Sequence, residues 1–170
     1  MKAGGPCEMT VNDIRLKDIL VGDVWLCSGQ SNMELTAGRV TDKFAEEIAR
    51  DENPMIRYVK IPLGNDLHGP KDDLPGADWM PLTKETAPSF SALAYFFAKE
   101  MYRGTQVPVG IVTPSWGGSS VEAWMSEEAL QKFPRQLHER DLFNSDEYRE
   151  LCNRSGQMMN RFWDTALYKG

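Results

Sequence analysis

The sequence predicts an α/β fold in which a parallel sheet carries helices on both faces. Three short apolar runs of strand length alternate along the chain with segments that place apolar residues at helical spacing. This order of strand, helix, strand, helix, strand, helix is typical of parallel sheets. In such sheets the chemically active groups collect at the carboxyl ends of the strands, so the turns that follow the strands are the places to search.

The composition is that of an ordinary globular protein, with 41% hydrophobic and 26% charged residues among 170. A net charge of -6 and the lack of a basic tract argue against a nucleic-acid partner. No apolar run approaches the roughly 18 residues of a membrane helix, and Met1–Pro6 lacks the apolar stretch of a signal peptide. Three widely spaced cysteines and two isolated histidines predict no metal site.

The first elements follow from short local patterns. Glu8–Val11 and Ile14–Leu20 read as two strands that could form a hairpin, and we expect residues 1–20 to be the last strands of a preceding β domain. Val24–Cys27 is a short apolar run that predicts a buried strand. Ser31 and Glu34 fit a capping box, which predicts a helix start.

The middle of the chain continues the alternation. Val40–Arg50 predicts a helix and Met55–Ile61 a second buried strand. Residues 62–87 are rich in Pro, Gly and Asp and predict a long excursion, which in a compact domain is often functional. Pro88–Tyr102 has the clearest helical pattern, with Gly104 as its expected C-cap.

The last third begins with a strand at Val109–Val112. Ser119 and Glu122 form a second candidate capping box. Ser145–Leu167 predicts a final helix with apolar side chains along one side. These side chains are Tyr148, Leu151, Cys152, Met159, Phe162 and Ala166.

Ser31 is the first candidate for chemistry, because it follows a buried strand and opens a helix. Backbone N–H groups at a helix start point outward, and the helix dipole favours negative charge there. A serine so placed can attack a carbonyl while nearby N–H groups hold the oxyanion. Position alone suits a plain N-cap equally well, and that role is the commoner one. Ser28 is a rival nucleophile that we expect to be buried.

Gly117 and Gly118 follow the third strand and let the backbone approach a ligand closely. If this loop runs beside Ser31, a glycine N–H could be a second oxyanion donor; the alternative is a plain tight turn. A serine nucleophile also needs a base. The two histidines, His68 and His138, both suit solvated surface positions.

Longer motifs resemble a known family. The segment VWLCSGQSNME at 24–34 closely resembles the first conserved block of sialate O-acetylesterases, which belong to the SGNH hydrolase superfamily. The segment VPVGIVTPSWGGSSVEAW at 107–124 resembles the second block, and FSALAYFFA at 90–98 resembles the helix between them. The resemblance runs to Ser126. It implies an SGNH-hydrolase-like, flavodoxin-like fold for residues 21–170, as the N-terminal part of a longer esterase domain.

The resemblance also implies site residues. Ser31 matches the nucleophile, and its own N–H with that of Gly117 or Gly118 matches part of the oxyanion hole. Substrate contacts are implied for Gln30, Asn32 and Trp116, and neither a metal nor an organic cofactor is implied. The family's third block, with its Asn, and its final Asp-x-x-His block have no counterpart in this sequence.

The function implied by the resemblance is hydrolysis of acetyl esters on sialic acids or plant-type glycans. We expect the parent protein to be active and this chain alone to be inactive, since the base is missing. The implied partners are an O-acetylated carbohydrate and the missing C-terminal half of the hydrolase domain. Independently of the resemblance, the apolar side of the last helix predicts that the isolated chain either associates with a second copy or is marginally stable. A secreted or periplasmic location is also implied. The alternative is a catalytically inactive module that binds a glycan or a partner through a truncated hydrolase fold.

Overall fold

The computed structural model describes residues 2–64, 73 and 76–166, apart from the side chains of residues 144 and 159–166. The chain divides into two compact units. The first holds the described residues up to 119, and the second holds those from 120 onward. His68, one of the two candidate bases, lies outside the described residues.

A β-hairpin opens the first unit. β1 (Gly4–Val11) pairs antiparallel with β2 (Ile14–Val21) as a separate two-stranded sheet. Asn12 in the turn has a φ of 52°, a left-handed conformation that asparagine tolerates better than most residues. The predicted hairpin is therefore confirmed, while the domain boundary at residue 20 stays a prediction.

Four strands form the main sheet: β3 (Asp23–Leu26), β4 (Asn53–Lys60), β5 (Met80–Leu82) and β6 (Val109–Thr113). Their order in space is β3-β6-β4-β5. β6 pairs parallel with both β3 and β4, so the three predicted strands share one parallel sheet and the α/β prediction is confirmed. β5 pairs antiparallel with β4 and was not predicted. Its Pro81 suits an edge strand, because proline has no N–H to donate.

The two faces of the sheet differ in burial. Trp25, Ile111 and Tyr58 occupy paired positions on one face, where Ile111 is 0% and Tyr58 3% exposed. Side chains alternate along a strand, so Val24 and Leu26 belong to the opposite face. They are 65% and 71% exposed. All four residues of β3 are exposed, including Trp25 at 39%, so the predicted burial of this strand is wrong. The face that carries Val24 and Leu26 is the more open of the two.

Helices of the first unit cover the buried face. α1 (Ser31–Glu34) is a single turn, followed by α2 (Thr41–Arg50) and α3 (Ala92–Thr105). Trp25 of β3 meets Phe97 of α3 edge to face, with ring centroids 5.1 Å apart. The best helical pattern in the sequence thus becomes the helix that packs on the sheet.

The ends of α3 differ from the prediction. Ser91 caps the helix by accepting a hydrogen bond from the Ala94 N–H, so α3 begins after this cap and not at Pro88. At the other end, Gln106 takes the left-handed conformation with a φ of 56°. Gly104 is therefore not the C-cap but lies inside the last turn.

The second unit is helical, with α4 (Glu127–Leu130), α5 (Pro134–Asn144) and α6 (Asp146–Ala166). α6 confirms the predicted last helix, whereas α4 and α5 were not predicted. Within the part of the chain that the structure describes, no helix is long and apolar enough to cross a membrane.

The predicted capping box at Ser119 and Glu122 does not start an α-helix. Ser120 is the N-cap of a short 3-10 helix over Val121–Trp124, and its side chain makes no capping bond. The Ser119 hydroxyl donates instead to the Trp116 carbonyl at 2.7 Å.

Candidate active site

The two turns that sequence patterns singled out lie side by side. β3 and β6 are parallel neighbours, so the turns after them leave the same edge of the sheet. Contact continues beyond the strands: Gly29 forms a parallel bridge with Ser115, and the Trp116 N–H donates to the Gly29 carbonyl at 3.1 Å. The predicted neighbourhood of the Ser31 and Gly117 turns at the carboxyl edge is confirmed.

Ser31 is exposed and is the first residue of α1. Gln30 is the N-cap residue, and its backbone carbonyl accepts bonds from the N–H groups of Met33 and Glu34, both at 3.0 Å. The predicted capping box between Ser31 and Glu34 is therefore wrong, since Ser31 lies inside the helix. Because α1 is only one turn long, its dipole is much weaker than that of a full helix.

The serine turn is tied firmly to the start of α3. The Ala92 N–H donates to the Leu35 carbonyl at 2.8 Å, and the Ala37 N–H donates to the Phe90 carbonyl at 2.8 Å. Ala37 and Phe90 are almost fully buried. Ser31 thus projects from a turn whose downstream end is fixed in the core.

The second turn runs from Trp116 to Ser119 and is closed by a bond of 3.2 Å from the Ser119 N–H to the Trp116 carbonyl. Gly118 has a φ of 81°, as the third residue of a type II turn requires. A β-carbon on Gly117 would lie 3.5 Å from both Cα and Cβ of Ser31. Two glycines therefore let this turn approach the serine closely.

Of the two expected oxyanion donors, the N–H groups of Gly117 and Gly118, the first is already bonded. It donates to Glu34 Oε2 at 2.6 Å. Among the described residues, no group accepts a bond from the Gly118 N–H. Sequence analysis missed this role of Glu34, because no local pattern links two residues 83 positions apart.

The three residues implied as substrate contacts differ in their exposure and in their bonds. Gln30 donates its side-chain amide to the Ser119 carbonyl and so joins the two turns. Asn32 is exposed beside Ser31, and Trp116 is half-buried in the glycine turn. All three lie on the two turns that carry Ser31 and Gly117.

Ser28 and Cys27 both make contacts that stabilise the fold. Ser28 is exposed and not buried as expected, and its hydroxyl donates to the Pro114 carbonyl at 2.8 Å. Cys27 packs against the core, and burial raises the pKa of its thiol. A neutral thiol in this place fits the small core residue that the sequence suggests.

The described part of the first unit contains no histidine that could act as the base for Ser31. His138 is exposed on α5 of the second unit, as expected of a surface histidine. The described residues also contain no group of three or more His, Cys, Asp or Glu side chains that could hold a metal ion.

Comparison with known proteins gives consistent matches. The family described as carbohydrate esterase, sialic acid-specific acetylesterase matches residues 21–166. The chain is 33% identical over 147 residues to the sialate O-acetylesterase of Rattus norvegicus, covering 77% of this chain and 27% of that protein. It is 32% identical over 149 residues to that of Homo sapiens, covering 77% and 28%. The chain thus spans little more than a quarter of these relatives.

A solved structure matches as well. The crystal structure of a carbohydrate acetylesterase from Xanthomonas citri is similar with a TM-score of 0.69 and 38% identity. The similarity covers 77% of this chain and 31% of that one.

Proposed function

The chain belongs to the sialic acid-specific acetylesterase family of carbohydrate esterases, and we propose that Ser31 is the nucleophile of a carbohydrate O-acetylesterase. The observation that carries this proposal is the exposed Ser31 in contact with the Gly117 turn, at the carboxyl edge of a parallel sheet. A serine so placed is open to substrate, and the turn brings backbone N–H groups close to the reacting carbonyl.

In the proposed reaction, a base removes the hydroxyl proton while Ser31 Oγ attacks the acetyl carbonyl carbon. The oxyanion accepts hydrogen bonds from the Ser31 N–H and from a glycine N–H of the turn, for which Gly118 is the better candidate because Gly117 is already bonded. The ester C–O bond breaks, and the sugar hydroxyl leaves with the proton held by the base. Water then attacks the acetyl-serine in the same way, which releases acetate and restores Ser31.

We propose that the base comes from polypeptide outside the described first unit. The chain corresponds to about 27% of the rat enzyme's length, and the resemblance implies a histidine and an aspartate further along a complete domain. A family member with this Ser31 site would need that segment before it could turn over an ester.

The open side of β3 is the surface on which the remaining hydrolase domain would dock. β3 stands at the end of the sheet, and Val24 and Leu26 are mostly exposed there. Burying an aliphatic side chain of this size contributes roughly 1.5–3 kcal/mol, and a free edge readily accepts another strand. A further strand that pairs parallel with β3 would place its own carboxyl end next to Ser31.

The names of two relatives support a proposed substrate class. The rat protein is named for sialate O-acetyl groups and the bacterial one for carbohydrate acetyl groups. We propose an O-acetylated sialic acid, or the plant-type glycan that the family resemblance also implies. Asn32 and Trp116 would contact the sugar, while the Gln30 amide is engaged with Ser119. We also propose a secreted or periplasmic location, which the family resemblance implies.

A second candidate is a module that binds a glycan or partner without turnover. It is favoured by one observation, the lack of a histidine in the described part of the first unit. In that case Ser31 would donate a hydrogen bond to a ligand and would not form an acyl-enzyme.

The test compares Ser31→Ala with Ser28→Ala in the longer protein that contains this chain, on an O-acetylated sialic acid and on an acetylated plant glycan. We expect Ser31→Ala to lower the rate by on the order of 10⁴-fold. Ser28→Ala should keep activity within about tenfold, because it loses only a bond to a loop carbonyl. Full activity in Ser31→Ala would refute the proposal, and glycan binding without hydrolysis would support the second candidate.

A further inference from the structure

We propose that Glu34 is a positioning residue, whose carboxylate holds the Gly117 N–H and thereby fixes the Trp116–Ser119 turn beside Ser31. This inference rests on the proposed function of Ser31, but the contact itself is a property of the fold. Glu34 touches neither of the substrate's reacting atoms in the proposed reaction. It acts through the turn that it holds.

The contact has the geometry of a strong hydrogen bond. Glu34 Oε2 lies 2.6 Å from the Gly117 nitrogen, and bonds from a backbone N–H to a carboxylate are stronger than those between neutral groups. Glu34 is half-buried, so water competes only in part for its oxygens. It is also the last residue of α1, the turn that begins with Ser31. One side chain therefore couples the serine turn to the glycine turn.

A side chain at position 117 would compete with the carboxylate of Glu34 for the same space. A β-carbon on Gly117 would lie 2.8 Å from Glu34 Oε2, closer than such atoms pack. The carboxylate thus occupies the place where a side chain at 117 would be. The absence of a side chain and the presence of the carboxylate together set the distance between the two turns.

The bond also decides which donor is left for the oxyanion. Because the Gly117 N–H is used by Glu34, this group cannot serve the substrate at the same time. The next N–H along, that of Gly118, belongs to the exposed middle of the turn. Holding Gly117 fixes the plane of the peptide before this donor. A turn free to rotate would place it less accurately, and misplacement by about 1 Å can cost on the order of 100-fold in rate.

The contact can be tested directly in this chain by the amide proton resonance of Gly117. We expect this resonance to lie downfield and to exchange slowly with solvent, and Glu34→Ala to move it upfield and speed its exchange at least tenfold. Glu34→Gln keeps an acceptor oxygen and should retain part of both effects. Glu46→Ala is the control, since Glu46 is exposed on α2 and pairs with Arg50 at 3.9 Å. An unchanged Gly117 amide in a folded Glu34→Ala variant would overturn the proposal.

The catalytic arm uses the longer protein. We expect Glu34→Ala to lower kcat by about 10- to 100-fold with KM changed less than about threefold, and Glu34→Gln to recover most of this loss. Equal kcat in Glu34→Ala and the wild type would overturn the positioning role even if the Gly117 contact stands. Failure of the proposed function is seen separately, as full activity of Ser31→Ala.

Discussion

Gly117 lies so close to Ser31 that a β-carbon at position 117 would be 3.5 Å from the Ser31 Cβ and 2.8 Å from Glu34 Oε2. Gly117→Ala should therefore displace the flexible carboxylate and leave the backbone in place. We expect the free energy of unfolding to change by less than about 1 kcal/mol, while ester hydrolysis by the longer protein falls at least about tenfold. Urea denaturation and initial rates measure the two effects, and unchanged hydrolysis would contradict the expectation.

Gly22 lies in close contact with the backbone of Pro108, and a substitution there should affect stability. A β-carbon there would lie 2.0 Å from the Pro108 carbonyl oxygen, which is backbone and cannot move aside. The neighbouring Asp23 N–H donates to the same carbonyl at 2.9 Å. We expect Gly22→Ala to lower the free energy of unfolding by about 3 kcal/mol or more.

The matched control is Gly104→Ala, at a helical glycine where the added carbon meets no atom within 4 Å apart from its own helix backbone and chain neighbours. Here we expect a gain of about 0.5–1 kcal/mol from helix propensity. Urea denaturation of both variants distinguishes a close backbone contact from a general intolerance of substitution. Similar stabilities for the two variants would contradict the fold of the β2–β3 connection.

The surroundings of Tyr95 predict how the free energy of unfolding changes at alkaline pH. The side chain is 0% exposed and its hydroxyl donates to Asp51 Oδ2 at 2.5 Å. Burial, followed by the bond to Asp51, raises the pKa of Tyr95 to about 12, against about 10 in an unfolded chain. The stabilisation is therefore complete below about pH 10 and is lost as the pH rises towards 12.

We expect the free energy of unfolding to fall between about pH 10 and pH 12, by on the order of 2 kcal/mol from this group. Lys99, beside Asp51 at 2.6 Å, adds to the fall. Burial lowers its pKa, but bonds to Asp51 and Glu47 outweigh this and raise it. Tyr95→Phe should be less stable at neutral pH and lose less above pH 10. An equal alkaline loss in both proteins would show that Tyr95 does not titrate in this way.

The open face of β3 predicts the behaviour of the isolated chain. Val24 and Leu26 are exposed at the end of the sheet, and Leu151 and Met158 are exposed on α6. We expect the chain to self-associate or to melt at low temperature. Leu26→Lys should reduce the association seen by light scattering. Ile14→Lys, at a position that is 64% exposed on the hairpin, is the control.

Light scattering and thermal melting can also contradict this expectation. A monomer whose scattering does not depend on concentration, with a high and cooperative melting transition, would show that this chain is a complete domain. The expectation that a further strand and the base lie outside the chain would then be wrong.

Much of the fold was predictable because several elements have a recognisable pattern of apolar residues in the local sequence. The parallel strands and α3 each carry their own apolar periodicity, and a strand followed by a turn places Ser31 and Gly117 at one edge. The order of the strands was not predictable, because no local sequence pattern indicates that β6 lies between β3 and β4. β5 escaped because it has three residues with a proline in the middle.

The site was predictable only in part for the same reason. Ser31 belongs to a recognisable strand-to-helix turn, but the role of Glu34 depends on a contact with a residue far along the chain. Glu34 follows Ser31 by three residues, which is the spacing of a capping box. This local spacing predicted a bond within the helix start, whereas the carboxylate binds the N–H of Gly117. The ends of α3 show the same limit, because Gln106 and not Gly104 adopts the left-handed conformation.

The most direct test of the central claim is covalent labelling of the nucleophile in the longer protein. A fluorophosphonate reacts with an activated serine, and peptide mapping by mass spectrometry identifies the modified residue. We predict one adduct on Ser31, which is lost in Ser31→Ala and kept in Ser28→Ala. An adduct on Ser28 or on another serine, or labelling that persists in Ser31→Ala, would contradict the assignment of Ser31 as the nucleophile.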